Sequence, residues 1–460
     1  VRQAGFQFAQ LDIVQAAGHF LAVTRNEGHR GTTVQQLDGS ADLLLPYFDF
    51  CGQLPNDLLH VWANSLILKR TKREAREFAT GLSGANILPL PPLFPALPLQ
   101  DDLFGAPPAP PAPPPASGPA DAAPAKRGQG LKVRPAPQDD ALHALAQALP
   151  PQLRMGTSSW TYPAWNGLVW DAVYEAPQLS KQGLAAYAAH PLLRTVSLDR
   201  NFYRPLTVSQ YQRYAEQVPE DFRFVVKAPS LVTDALVRTE DGRGREPNPA
   251  FLNPELALRE FVEPALEGLG SKVGALVFQI SPLPMALLDR MPQVLEQLRA
   301  MLQALPPLAS RAPDGVIAVE VRDPEWLTPE FAAVLRNAGA TYCLGLHPKL
   351  PPLADQLPLL RALWPTPLVC RWNLNAVHGP YGYEDAEKRY APYDRLHDLD
   401  PATQEALAKV IVGITGRGQN AYVTISNHAE GCAPLTVQRL AEHVRALHTS
   451  DGPGPGTASG

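Results

Sequence analysis

Residues Ile317–Arg322 read IAVEVR, a run of apolar and β-branched residues that carries a glutamate and ends on an arginine. Such a run is a buried strand that ends in polar chemistry. Side chains alternate along a strand, so Val319 and Val321 face one way while Glu320 and Arg322 share the other. The same theme recurs on both sides of it. Upstream stand RMGTS (Arg154–Ser158), TVSLD (Thr195–Asp199), RFVVK (Arg223–Lys227) and ALVFQI (Ala275–Ile280). Downstream stand TYCLGL (Thr341–Leu346), LVCRW (Leu368–Trp372) and AYVTISN (Ala421–Asn427). Amphipathic stretches such as Asp289–Gln303, Pro329–Ala338 and Thr403–Val412 lie between them, and Leu435–Leu447 closes the series. Eight strands alternating with helices predict an α/β fold of the (β/α)8 TIM-barrel type. A doubly wound sheet fits less well, because no GxGxxG follows the first strand.

Proline distribution sets the domain map. Of the 50 prolines, 14 fall between Pro89 and Pro124. Proline mixed with alanine supplies neither backbone donors nor a core, so residues 89–135 read as a semi-rigid, disordered linker. They separate an N-terminal extension, 1–88, from a barrel at 136–448; residues 449–460 read as a disordered tail. In the extension, Ala63–Thr80 has helical character, and elsewhere neither period holds. One reading of the extension is that it is not native, with translation starting near Leu99.

Composition narrows the class. The chain has 460 residues, 45% hydrophobic and 18% charged, with a formal net charge of −5. That charge excludes a polybasic coat for nucleic acid, although a local groove can still be basic. No apolar run approaches the roughly twenty residues of a membrane span. Four cysteines without CxxC spacing argue against a disulfide framework and a zinc knuckle, so the chain reads as cytoplasmic.

Six ordered motifs carry a resemblance: GTSSWTYPAWNG (Gly156–Gly167), TVSLDRNFYRPL (Thr195–Leu206), FRFVVKAP (Phe222–Pro229), LVFQISP (Leu276–Pro282), AVEVRDPEW (Ala318–Trp326) and YVTISNHAEGCAP (Tyr422–Pro434). From Arg154 to Leu447 the chain resembles the YecE-like barrel family, a bacterial domain of unknown function. The resemblance implies a TIM-type barrel and supplies no reaction. Ser197 and Asp199 stand where the family pattern reads Glu-x-Asn, Ser426-Asn427 replaces paired asparagines, and Asp323 stands where a histidine is usual. These departures imply a divergent branch.

Barrels build their sites at the C-terminal strand ends. Those ends offer Asp199, Lys227 and Glu320 as catalytic candidates. Trp160, Asn201, Tyr203, Gln279, Arg322, Arg371, Asn427 and His428 are the substrate-binding candidates. Glu320 and Arg322 read first as a buried ion pair closing the top of the core and, as the alternative, as substrate contacts. Lys227, Arg322 and Arg371 suggest an electropositive mouth, and arginine matches carboxylate or phosphate oxygens in pairs. The segment Asn427–Leu435, opening the last helix, is where barrels often seat a phosphate. The aromatics of the loop Leu374–Asp400 read as packing it onto the barrel or as stacking a ligand, and its length suits a lid or binding loop.

The first expectation is therefore an enzyme, a hydrolase or lyase, acting on a phosphate-containing substrate, nucleic acid included. Asp199 or Glu320 would move the proton. The rival is a non-catalytic nucleic-acid or metabolite binding module. QDDLF, with Gln100, Leu103 and Phe104, resembles the peptide that docks on bacterial sliding clamps and would recruit it there. A third reading is a metal-free sugar-phosphate isomerase or aldolase-like enzyme using Lys227. No cofactor is expected, and a divalent metal is disfavoured by the neighbouring cations.

Overall fold

The structure, a computed structural model, describes residues 8–16, 19–26, 32–36, 132–238 and 244–450. The chain divides into two compact units, Val1–Ala96 and Leu97–Gly460. In the first, strands Phe8–Ala16, His19–Asn26 and Thr32–Gln36 form an antiparallel sheet, with Ala16 opposite His19. Phe8, Leu11, Ile13 and Val14 follow no strict alternation, so the strand pattern is not visible in the sequence. The expected helix Ala63–Thr80, the linker core and the QDDLF segment lie outside the described residues.

In the second unit eight parallel strands close into a barrel. They are β1 (Leu153–Thr157), β2 (Leu193–Leu198), β3 (Arg223–Lys227) and β4 (Val273–Gln279). β5 (Val316–Glu320), β6 (Thr341–Leu346), β7 (Leu368–Trp372) and β8 (Ala421–Ile425) complete it. They pair in chain order, and β8 closes on β1. All eight expected strands are found, each displaced by two residues at most. β4 through β8 are buried at every position, as parallel strands covered on both faces must be, which is why they read as short apolar runs.

Helices fill the connections, among them Met291–Gln303, Pro329–Asn337 and Pro401–Thr415. The last helix, Ala433–Ser450, packs against β1 and β8 and against a short helix, Asp140–Gln147, that precedes the barrel. Among the described residues no helix is long and apolar enough to cross a membrane.

Inside the barrel a small core of Val225, Val277, Ala318, Cys343, Val369 and Tyr422 separates two charged layers. The N-terminal layer centres on Asp314. Its Oδ2 accepts from Arg223 Nε and Nη2 at 3.0 and 2.8 Å, and its Oδ1 from Asn420 at 3.2 Å. Its carbonyl takes the Tyr422 hydroxyl at 2.7 Å. Burial would raise the Asp314 carboxyl, but the hydrogen bonds from Arg223 and Asn420 outweigh it and hold it low. The other charged layer lies at the C-terminal end.

Candidate active site

Strand register builds the C-terminal layer. Pairing puts Glu320 on β5 opposite Gln279 on β4, and Arg371 on β7 opposite Gly345 on β6. The expectation that Glu320 and Arg322 share the inner face holds, because both meet there. Glu320 is fully buried. It accepts from Arg371 Nη1 at 2.6 Å, from Asn373 Nδ2 at 3.0 Å and from Arg322 Nη1. Gln279 Oε1 receives Arg322 Nη2 at 3.1 Å and Arg371 Nη1 at 3.2 Å. Arg371 Nη2 then reaches Asp199 Oδ2 at 2.7 Å. The result is a row Asp199–Arg371–Glu320–Arg322 in which each guanidinium lies beside a carboxylate.

A lone charge in this layer would cost several kcal/mol, so the row stands only because its members neutralise one another. Burial alone would raise the Glu320 carboxyl; Arg322 and Arg371 overcome it and hold it at about 2. Burial likewise works against the Arg371 charge, and Asp199 and Glu320 more than offset it. Gly345 makes the room. A Cβ there would stand 2.9 Å from Leu350 Cδ1 and 3.6 Å from Arg322 Nη1. The two arginines expected to make the mouth electropositive are thus already holding the protein's own anions.

Asp199 is where this row meets open space. Its side chain is 12% exposed, and its second oxygen, Oδ1, accepts from the Ser197 hydroxyl. It lines a pocket of about 600 Å³ at the ends of β1 and β2. The pocket wall carries the hydroxyl-bearing residues Ser158, Ser159, Thr161, Ser180 and Ser197, and the aromatic residues Trp160, Tyr162 and Tyr203. Two exposed cations, Lys181 and Arg200, also line it, and Arg200 Nη2 donates to Ser180 Oγ. Lys181, Arg200 and Ser180 were not singled out from the sequence. Lys181 and Ser180 sit on the helix Ala176–Gln182, where lysine and serine read as solvated surface. Only their convergence with Asp199 in space marks them.

The remaining expected residues divide by what they touch. Lys227 is buried at the end of β3, and its ammonium lies 3.6 Å from the centroid of the Phe202 ring, a close cation–π contact. Asn201 is fully buried; it donates to the Lys227 carbonyl at 2.9 Å and accepts from Leu206 N–H at 2.8 Å. It ties β2 to β3. Trp160 is buried, and its indole N–H is held by the Leu179 carbonyl at 3.1 Å, so it offers the pocket a wall rather than a donor. Tyr203 is half exposed at the rim. Asn427 Oδ1 takes the Ala433 N–H at 2.8 Å, which occupies one amide at the start of the last helix. Burial pushes the Tyr162 phenol up to about 12.

His428 is buried between Tyr383 and Tyr393, each ring centroid 5.5 Å away. Burial, reinforced by His378, lowers its imidazole to about 4. Glu430, also fully buried, accepts from Asp400 N–H at 2.7 Å and Gln404 Nε2 at 3.0 Å. It anchors the end of the long loop after β7. Asn375 holds the start of that loop through the Ala429 carbonyl at 2.7 Å and the Asp398 carbonyl at 2.9 Å. The loop is better ordered than its sequence suggests, since it contains a helix, Tyr383–Tyr390. That helix buries only Ala386 and Tyr390, too few apolar positions for a visible period. Gly431, at φ 114°, lets the loop close on the barrel, because a Cβ there would meet the Arg395 carbonyl oxygen at 2.7 Å.

Among the described residues no group of three or more His, Cys, Asp or Glu side chains is placed to hold a metal ion. In comparisons with known proteins, the family described as "Protein of unknown function DUF72" matches residues 154–458. A DUF72 family protein of Enterococcus faecalis V583 is similar in structure at 18% identity and a TM-score of 0.42, over 64% of this chain and 95% of that one. A DUF72 family protein of Thermotoga maritima MSB8 is similar at 21% identity and a TM-score of 0.40, over 64% of this chain and 98% of that one. No curated protein matches the chain.

Proposed function

We propose that this chain, which belongs to the DUF72 family, is an enzyme acting on a phosphate-bearing substrate in the pocket over β1 and β2. Asp199 is the acid–base group, and Lys181 and Arg200 hold the anion. The observation that carries this reading is the placement of Asp199. Its carboxylate lines the pocket while Arg371 and Ser197 each fix one of its oxygens. A carboxylate oxygen has two lone pairs, so each keeps one for a substrate hydroxyl or an attacking water. A general base works when it is held within hydrogen-bond reach of the proton it takes, and the two partners supply that rigidity. The anion site moves from the expected arginines to the rim because Arg322 and Arg371 are spent on Glu320 and Asp199.

Calorimetric titration with inorganic phosphate and glucose 6-phosphate tests the anion site. The double variant Lys181→Ala, Arg200→Ala should bind both at least tenfold more weakly. A panel of phosphorylated metabolites and short oligonucleotides then tests turnover. Asp199→Asn should lose roughly 10²-fold or more in rate on whichever substrate turns over, the scale of general-base catalysis, with little change in affinity. Phosphate binding without turnover across the panel would favour a binding module instead. Absence of phosphate binding would reject the reading altogether.

A further inference from the structure

A second hydrogen-bonded arrangement lies just after β8, next to the end of β1. Ser426 Oγ is 3.0 Å from His428 Nδ1, and the other ring nitrogen, Nε2, is 3.1 Å from the Tyr393 hydroxyl. The His428 backbone N–H also donates to Ser426 Oγ at 3.2 Å. A local turn would account for that backbone bond alone. It does not require the ring to fold back so that Nδ1 meets the same hydroxyl. Both ring nitrogens face hydroxyls, which donate or accept as needed, so a proton can pass along the row Ser426–His428–Tyr393.

Burial gives the row a direction. Tyr393 and His428 are buried, whereas Ser426 is only partly so. The serine is thus the least buried member of the row. Ser426 directly follows β8, and its N–H donates to the Trp372 carbonyl of β7 at 2.8 Å. The neighbouring β1 end is joined to it by the Ser158 N–H, which donates to the Ile425 carbonyl at 3.0 Å. Ser158 is itself a wall of the pocket. Tyr393 holds φ at 74°, a conformation rare for a bulky residue and kept only where the surroundings dictate it. Here it sets the phenol against the imidazole.

We propose, resting on the phosphate-bearing substrate of the proposed function, that Ser426 is the nucleophile toward it, with His428 as the base and Tyr393 as the residue that positions the ring. In the step, Ser426 Oγ bonds to phosphorus while its proton passes to His428 Nδ1. The bond from phosphorus to the leaving oxygen breaks, and that oxygen departs as an alcohol with the proton from His428. Water then hydrolyses the serine phosphate ester. The imidazole is neutral at pH 7 because burial keeps it so, and with Tyr393 accepting from Nε2–H the lone pair of Nδ1 faces Ser426 Oγ.

Diisopropyl fluorophosphate tests this without any knowledge of the substrate. Attack forms an Oγ–P bond, breaks the P–F bond and releases fluoride with the proton. Mass spectrometry of the digested full-length protein should find one stoichiometric adduct on the peptide carrying Ser426, absent from Ser426→Ala. His428→Asn should label at least tenfold more slowly. Should that variant fail to fold, Tyr393→Phe keeps the ring and removes the hydroxyl, and it should also slow labelling. A folded wild-type protein that takes no adduct at Ser426 overturns the proposal. So does labelling that proceeds at the same rate in Tyr393→Phe and His428→Asn. The proposal stands apart from the role given to Asp199, since phosphate affinity and turnover report on that residue and labelling does not.

Discussion

Glu320→Gln is the sharpest test of how the barrel mouth is held. The substitution keeps the shape and the buried position and removes one charge. Arg371 would retain Asp199, but Arg322 would be left with the Gln279 oxygen and no carboxylate in direct contact. Removing one partner of a buried pair costs about 3–5 kcal/mol, because the remaining charge is stranded in low dielectric. The carboxyl's lowered value, set by the same two arginines, is of the same order. A fall from 4.5 to about 2 is worth roughly 3 kcal/mol, at about 1.4 kcal/mol per unit. Because the folded value is the lower one, this stability is present above the unfolded value and lost as pH falls through the window from 4.5 to 2. Both routes lead to the same magnitude. Urea unfolding of the full chain at pH 7, followed by tryptophan fluorescence, should show that loss. The melting temperature should drop by roughly 6–20 °C, at about 2–4 °C per kcal/mol for domains of a few hundred residues. Between pH 4.5 and 2 the variant should also lose less stability than the wild type. A variant that melts within about 2 °C of wild type would refute the claim that the row is held by mutual neutralisation.

Two further outcomes follow from buried groups elsewhere. His190 and His428 are both lowered from 6.5 to about 4 by burial, and the unfolded chain takes up those protons first. Stability is therefore full above pH 6.5 and falls toward pH 4 by roughly 3 kcal/mol for each histidine; His190→Gln should flatten the urea midpoint between pH 6.5 and 5, and an unchanged slope would count against this. At the N-terminal layer, Asp314→Ala should cost about 2 kcal/mol, the scale of hydrogen bonds to charged groups, read as a lower urea midpoint at pH 7. An unchanged midpoint would mean that Arg223 and Asn420 find water at no cost.

The barrel is legible in the sequence for a definite reason. Its strands are covered on both faces, so each is written as an unbroken apolar run such as Thr341–Leu346, bounded by polar residues. The alternation that put Glu320 and Arg322 on one side needs only the geometry of a strand. The loop after β7 and the three strands of the first unit were not legible, because their apolar residues are sparse or out of phase. Strand-end position alone also fails to separate roles. Asn201 and Trp160 sit where substrate contacts are expected, yet their polar atoms hold the Lys227 and Leu179 carbonyls.

The arginines show where such reading stops. Arg371 and Asp199 are 172 positions apart and nothing local links them, so a row of cations at strand ends reads as an anion trap. In the barrel the carboxylates come from the same inward-facing level of other strands, and the charges cancel before any substrate arrives. This changes what the cations are for. A guanidinium that holds two carboxylates in place does not lend its charge to a ligand; it fixes the carboxylate that a ligand meets. On the proposed function, Arg371 acts through Asp199, and the charge that holds the anion comes from side chains outside the row. Lys181 and Arg200 meet that condition, since both are exposed at the pocket that Asp199 enters. Arg371→Met should accordingly destabilise the fold and disturb Asp199, and its effect on phosphate affinity should be smaller than that of losing Lys181 and Arg200. Titration of inorganic phosphate against the folded fraction of each variant gives the order. Were Arg371→Met to abolish phosphate binding while the rim double variant kept it, the anion would have to bind at the row itself, and the assignment of the rim cations would fall.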